Sequence, residues 1–324
     1  MGVEGLQRTK LGRYHLRDCL GHGSHTAVYR ASAPAGASCA LKVVDTRLQG
    51  GEDLAERLRL DAAVLEQISH PHILPILDPM ASSEMTAAVM PLMVAPTLKD
   101  LMQGGRLDSE LTWSLLNQIA DSLQSAHEWG LTYKLLKPSN ILVREGRAYL
   151  AEFGMAGRRA GRLALATPDF HVAAPQYLAP EQILGQEADH RADIYALGVL
   201  VFELATGTRL SDGAQPSAIL HRTLNGPPPS AHARNPNVPV EVDEVLRRAL
   251  ARDPAQRHGS VWELIDELMN PPSAGPAPPP AAPPPAAPPQ TPQREWTSPI
   301  VTVDSLIDVL SGVLSGESSE GKAE

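Results

Sequence analysis

The stretch YKLLKPSNILVREGRAYLAEFG, residues 133–154, sets the register for the whole 324-residue chain. It places Lys137 three positions ahead of Asn140, and it closes on Glu152, Phe153 and Gly154. Between Lys134 and Leu136 stands Leu135. A leucine has no lone pair with which to accept a proton or orient a hydroxyl, so this position offers no general base.

Composition narrows the field before any motif is weighed. The formal net charge is −9 and the isoelectric point lies near 5.7, which argues against a polyanion-binding surface, because phosphate backbones are held by clustered Lys and Arg. Nucleic acid is not an expected partner. Cys19 and Cys39 are the two cysteines and lack C-x-x-C spacing, which fits a reducing compartment and gives no disulfide framework or zinc site. Both read as buried small apolar residues. The first residues, MGVEGLQRTKLGRY, contain no apolar h-region and no myristoylation signal, and no run of about 18 uncharged apolar residues occurs. The expectation is a soluble cytoplasmic protein without a membrane span.

In order along the chain, the central stretch is similar to the catalytic and metal-binding loops of the protein kinase superfamily, H-R-D-x-K-x-x-N followed by a short hairpin and D-F-G. Lys137, Asn140, Phe153 and Gly154 keep the register. The resemblance implies an α+β, bilobal protein-kinase-like fold with a small β-rich lobe and a larger helical lobe. It puts the catalytic base at Leu135 and the metal-binding Asp at Glu152, with Tyr133 and Lys134 in place of His and Arg. No intact catalytic residue is then expected beyond the retained Lys137. Asn140 keeps one metal-ligating side chain and Glu152 offers a longer carboxylate, so the two would hold magnesium in weakened form, since hard cations accept a Glu as well as an Asp.

Residues 14–44 alternate apolar and polar around glycines and read as three strands with a tight turn after Leu20. Gly21 and Gly23, followed by Val28, resemble the glycine-rich loop, with Thr26 at the third glycine position. A G-x-G alone equally suits a hairpin turn. Its spacing to Cys39-Ala40-Leu41-Lys42 matches the kinase V-A-I-K strand, which implies Lys42 as a phosphate ligand. From Glu52 to Ile68, Leu54, Leu58, Leu65 and Ile68 recur at near-helical intervals before Ser69-His70-Pro71. The glutamate that pairs with the lysine in the family falls on Asp61. One methylene less shortens its reach by about 1.5 Å, so the pair needs a closer helix or a bridging water. Residues 87–93, AAVMPLM, match the strand and hinge between lobes, with Met90 as gatekeeper and Pro91 to Met93 facing an adenine edge. Val28 and Ala40 above and Leu142 below complete an apolar slot for ATP.

Leu98 to Gly130 carries two helical patterns, the second closed by Gly130. Past the central stretch, Ala173-Ala174-Pro175-Gln176-Tyr177-Leu178-Ala179-Pro180-Glu181 aligns with G-T-x-x-Y-x-A-P-E, so the threonine that bonds the catalytic Asp and Lys is Ala174. Thr167, with Arg158, Arg159 and Arg162 nearby, reads as part of a solvated loop. Scaffold residues are retained: Asp193 resembles the buried aspartate that holds the catalytic-loop backbone, and Glu181 with Arg257 resembles the internal ion pair. The style is bacterial Ser/Thr kinase, with A-H-x-x-G, K-P-S-N-I-L and A-P-E-Q among its marks.

The expected organisation is an N-terminal extension over 1–13, a kinase-like domain over 14–270 (small lobe 14–93, large lobe 94–270), a Pro-rich disordered linker over 271–299, an amphipathic tail helix over 300–316, and a disordered end over 317–324. Twelve of the 22 residues from Pro271 to Pro292 are proline, which makes a polyproline II spacer of up to roughly 70 Å at about 3.1 Å per residue. Val303, Leu306, Ile307, Leu310, Val313 and Leu314 fall on one helical face. That face suits docking in cis on the domain or in trans on a protein partner. Two functions are compatible with this sequence. The first is a pseudokinase that holds ATP and acts as a scaffold or allosteric regulator of an active kinase or receptor complex. The second is a weak or atypical phosphotransferase using Lys42, Lys137 and Asn140.

Overall fold

A computed structural model describes residues 5–22, 26–45, 60–81, 85–105, 107–134, 136–151, 175–210 and 215–272. Gly23, Leu135, Glu152, Phe153, Ala174, the loop arginines and Thr167, residues 52–59 and the chain from 273 onward lie outside them.

The small lobe is one six-stranded antiparallel sheet in the order β1-β2-β3-β4-β6-β5. Its strands are β1 (Lys10–Leu11), β2 (Tyr14–His22), β3 (Thr26–Ser32), β4 (Ser38–Asp45), β5 (Asp78–Ala81) and β6 (Met85–Pro91). Three of these, β2 to β4, are the strands read from the alternation. Because strand side chains alternate faces, the register sorts the sheet into two surfaces. Ala27, Tyr29, Ala31, Leu41, Val43, Ala87 and Val89 form an outer apolar cluster with Tyr14 and Leu16. Leu6 is buried in the same cluster, so the segment ahead of Tyr14 packs as part of the lobe. Cys39 is buried there too, whereas Cys19, expected to be buried, is half exposed, its thiol 3.4 Å from the Gly21 carbonyl.

The opposite surface joins the main core. Val44 and Ala88 belong to the cluster that includes Ala62 and Leu65 of α1, whose described part covers 60–65, and continues through the large lobe. Helix α1 ends in a turn at 66–67, slightly short of the expected Ile68. The connector that follows ties the lobes together. Leu74 N–H donates to Leu150 O at 3.0 Å, Leu150 N–H donates to His72 O at 2.8 Å, and His70 Nε2 lies 3.0 Å from Asp121 Oδ2.

The large lobe contains α2 (Leu98–Gln103), α3 (Ser109–Glu128), the hairpin β7 (Ile141–Arg144) and β8 (Arg147–Leu150), α4 (Pro180–Ile183), α5 (Arg191–Thr206), α6 (Pro216–Asn225), α7 (Ala231–Arg234), α8 (Val240–Ala249) and α9 (Val261–Met269). Helix α3 is amphipathic: Leu116, Ile119, Ala120 and Leu123 are buried at 3-to-4-residue spacing, and Asp108 caps it by accepting from Leu111 N–H at 2.8 Å. Trp129 is its last half-helical residue, and Gly130 supplies the left-handed step beyond, at φ 72°. Helix α5 is buried all round and is the lobe's axis, every residue from Ala192 to Thr206 being buried and most of them apolar. Gly198 lets α8 approach it closely: a Cβ there would lie 2.9 Å from the Ala249 Cβ. No described helix is long and apolar enough to cross a membrane.

Candidate functional site

The small lobe brings four of the expected site residues onto one surface. Val28 pairs with Lys42, Ala40 with Met90, and Lys42 with Ala88, so Val28, Ala40, Lys42 and Met90 share the face opposite the outer cluster. Gly21 stands across from Val28 at the open end of that surface. Ala40, Lys42 and Met90 are each under 9% exposed. An apolar surface with a few placed polar groups, here the Lys42 ammonium, is the usual make-up of a small-molecule site. Asp61 is half-buried on α1.

The large lobe supplies the other wall. After β6, half-buried Pro91 and Met93 lead to a segment pinned on the hairpin: Val143 N–H donates to Pro96 O at 2.9 Å, and Thr97 bridges Leu142. Ile141 and Val143 point into the core while Leu142 is half exposed on the other face. Leu142 therefore stands beside the chain that follows β6. Asn140 is buried in a 3-10 turn, and its carbonyl accepts from Ala151 N–H at 3.1 Å. Lys137, half-buried and extended at φ −160°, precedes that turn.

Asp193 organises the loop between these parts. Fully buried at the start of α5, its carboxylate accepts from Tyr133 N–H at 2.7 Å and Lys134 N–H at 2.7 Å, and it lies 2.8 Å from His127 Nε2. Charge-assisted bonds of this kind are about twice as strong as neutral ones. They hold Lys134 at φ 65°, a left-handed conformation that costs an L-residue about 1–2 kcal/mol. The Lys134 carbonyl is held as well, accepting from Gln182 Nε2 at 3.0 Å. The Tyr133 hydroxyl donates to Ala151 O. Through it the loop grips the end of β8, one residue ahead of position 152.

Two of these contacts were not assigned from sequence, although their letters were visible. His127 is the histidine of A-H-x-x-G and Gln182 the glutamine of A-P-E-Q. Each acts on a residue 48 or more positions away, which no local pattern reveals.

Glu181 and Arg257 form the internal pair, two parallel bonds of 2.8 Å each with both side chains almost wholly buried. The remaining guanidinium donors meet the carbonyls of Ala251, Arg191 and Arg252, so all five are used. The same guanidinium lies 5.1 Å from the Tyr195 ring centre. Burial pushes the Tyr195 hydroxyl up to about 12. Tyr177 donates to Glu203, and burial, followed by the Glu203 charge, raises its hydroxyl well above the ordinary range.

Residues 14–272 match the protein kinase domain family. Among relatives, the serine/threonine-protein kinase PknL of Mycobacterium tuberculosis is 31% identical over 249 residues, covering 76% of this chain and 62% of PknL. Pkn1 of Myxococcus xanthus is 33% identical over 265 residues, covering 79% of this chain and 38% of Pkn1. The matched region thus spans about two-fifths to three-fifths of these relatives' own length. Among solved structures, the M. tuberculosis PknI kinase domain superposes with a TM-score of 0.66 at 26% identity, covering 82% of this chain and 97% of that one. Motif order, the two-lobed architecture and the loop held by Asp193 agree with a match running through both lobes, and the chain belongs to the protein kinase superfamily, bacterial Ser/Thr type.

Proposed function

We propose that the chain is a pseudokinase: it holds ATP between the lobes, transfers no phosphoryl group to a hydroxyl, and passes its lobe conformation to a protein partner such as an active kinase or a receptor complex in cytoplasmic phospho-signalling. The observation that carries this reading is a joint departure on an intact scaffold. Leu135 stands where the family has its base and Ala174 where it has the threonine bonded to that base, while Asp193 still holds the loop with three bonds. A chance substitution at one position does not explain the loss of its partner as well.

Lys42 would meet the phosphates, Met90 to Met93 the adenine edge, and Val28, Ala40 and Leu142 its faces. Magnesium, when bound, neutralises phosphate charge, and Asn140 with Glu152 would hold it. A cleft that retains Lys42, Lys137 and Asn140 supports a second reading, a weak phosphotransferase. Phosphoryl transfer depends mainly on positioning and charge, so losing the base leaves some rate.

Thermal unfolding with ATP and magnesium, together with labelled-ATP transfer to the chain itself or to a basic substrate, separates the two. Binding at 100 times Kd stabilises the native state by about 2.7 kcal/mol. Stabilisation without transfer sensitive to Lys42→Met supports the pseudokinase, and transfer abolished by Lys42→Met overturns it. Leu135→Asp reports on the rest of the machinery: activity gained there means that only the base was missing.

A further inference from the structure

On the large lobe, residues 94–96, α2, the start of α3 and the β7-β8 turn enclose an open groove of about 410 Å³. Leu101 and Val143 form its buried floor and Leu111 one wall. Val94 on its rim is 71% exposed, more than any other large apolar residue described. The only charged lining residues, Arg144 and Glu145, form an ion pair at 3.3 Å. The groove is firmly built. Thr97 caps α2 through reciprocal bonds with Asp100, Pro96 is bonded to Val143, and Gln118 Nε2 donates to Gly146 O at 3.1 Å.

We propose that residues 303–314 of this same chain dock in this groove as a helix, with Leu306, Leu310 and Val313 as anchors. Three features of the molecule support that occupant. Positions i, i+4 and i+7 span about 10 Å along one helix face, the pattern by which amphipathic helices fill apolar grooves. Neither surface brings a net charge to the contact: Arg144 and Glu145 cancel, and the tail's stripe contains no Lys, Arg, Asp or Glu.

Reach is the third. The last described helix, α9, packs on α3, whose first turn bears Leu111. Helix α3 is about 30 Å long, and a domain of this size has a radius of gyration of about 18 Å. The thirty residues from 273 to 302 extend to about 90 Å as polyproline II, with a persistence of only several residues, so they can curve back over that distance. A helix of about 12 residues is marginal alone, and docking supplies the burial it lacks. This proposal is independent of whether the cleft transfers phosphate.

The test is amide hydrogen exchange on the full chain. In the parent, amides of 94–101, 142–147 and 303–314 are expected to exchange about tenfold more slowly than in a Leu306→Asp, Leu310→Asp variant, the ratio for an effective concentration of about 1 mM and a Kd near 0.1 mM. Val94→Glu, an exposed change that spares the fold, releases 303–314 to the same extent and lowers Tm no further than the Leu306→Asp, Leu310→Asp variant does, because both lose the same docking free energy. Groove amides that ignore the tail substitutions overturn the proposal. Protection that disappears on tenfold dilution also overturns it, because the occupant is then the tail of a second copy.

Discussion

Replacing Asp193 by asparagine keeps the size of the side chain and removes its charge and one acceptor oxygen. Its Oδ2 takes both Tyr133 N–H and His127 Nε2, and its Oδ1 takes Lys134 N–H. An amide has a single acceptor oxygen, so whichever way it turns, its NH2 group faces at least one backbone N–H. One buried, unsatisfied donor costs about 1–3 kcal/mol, and converting the surviving bonds from charged to neutral costs about 1 kcal/mol each. The expected loss is about 3–5 kcal/mol. In urea, with an m-value of about 2–3 kcal/mol/M, the midpoint falls by about 1–2 M while m stays constant. Lys134→Gly sharpens the test, because glycine adopts φ 65° without strain. In that background the penalty of Asp193→Asn falls by about 1 kcal/mol, the strain that the carboxylate no longer has to hold. A midpoint change below about 0.3 M for Asp193→Asn, worth less than about 1 kcal/mol at that m-value, would refute the view that this carboxylate holds the loop.

Arg257→Met strands the buried Glu181 carboxylate and should cost about 3–5 kcal/mol by chemical denaturation; adding Glu181→Leu recovers only part, because the carbonyls of Ala251, Arg191 and Arg252 remain undonated. Gly198→Ala gains about 1 kcal/mol of helix propensity but places a methyl 2.9 Å from the Ala249 Cβ, so overpacking of about 1–3 kcal/mol wins, and Tm drops; an Ala249→Gly partner restores it. Tyr195 has its hydroxyl raised from 10 to about 12, so the unfolded chain gives up this proton first as pH rises. Stability is full below pH 10 and declines between about 10 and 12 by roughly 2–3 kcal/mol. Unfolding midpoints across that range should therefore fall less steeply in Tyr195→Phe than in the parent.

Much of this architecture was legible because spaced motifs fix a register over long distances. Once Lys137, Asn140 and the A-P-E run are aligned, the positions of Asp193, Glu181 and Arg257 follow, and their contacts are those the resemblance implies. Local alternation gave β2 and β3 because one face of each, with Tyr14, Leu16, Ala27, Tyr29 and Ala31, is buried in the outer cluster while His15, Arg17, Val28 and Arg30 on the other face are exposed or half-buried. What escaped were elements whose stability is borrowed. Strand β1 has two residues and β5 is DPMA, a run without alternation that pairs only because β6 offers an edge. The role of the Tyr133 hydroxyl was hidden likewise, since its acceptor is a backbone carbonyl 18 residues away, a group identical in every residue type. Gly23, Leu135, Glu152 and the tail lie outside the described residues, and their roles rest on sequence.

The three bonds to Asp193 come from the main-chain nitrogens of Tyr133 and Lys134 and from the His127 imidazole. Two of these three donors are amides that every residue type except proline supplies, so the anchor is indifferent to the side chains it holds in line. A designer can therefore exchange the side chains at 133 and 134, one codon at a time, and leave both of these amide bonds in place.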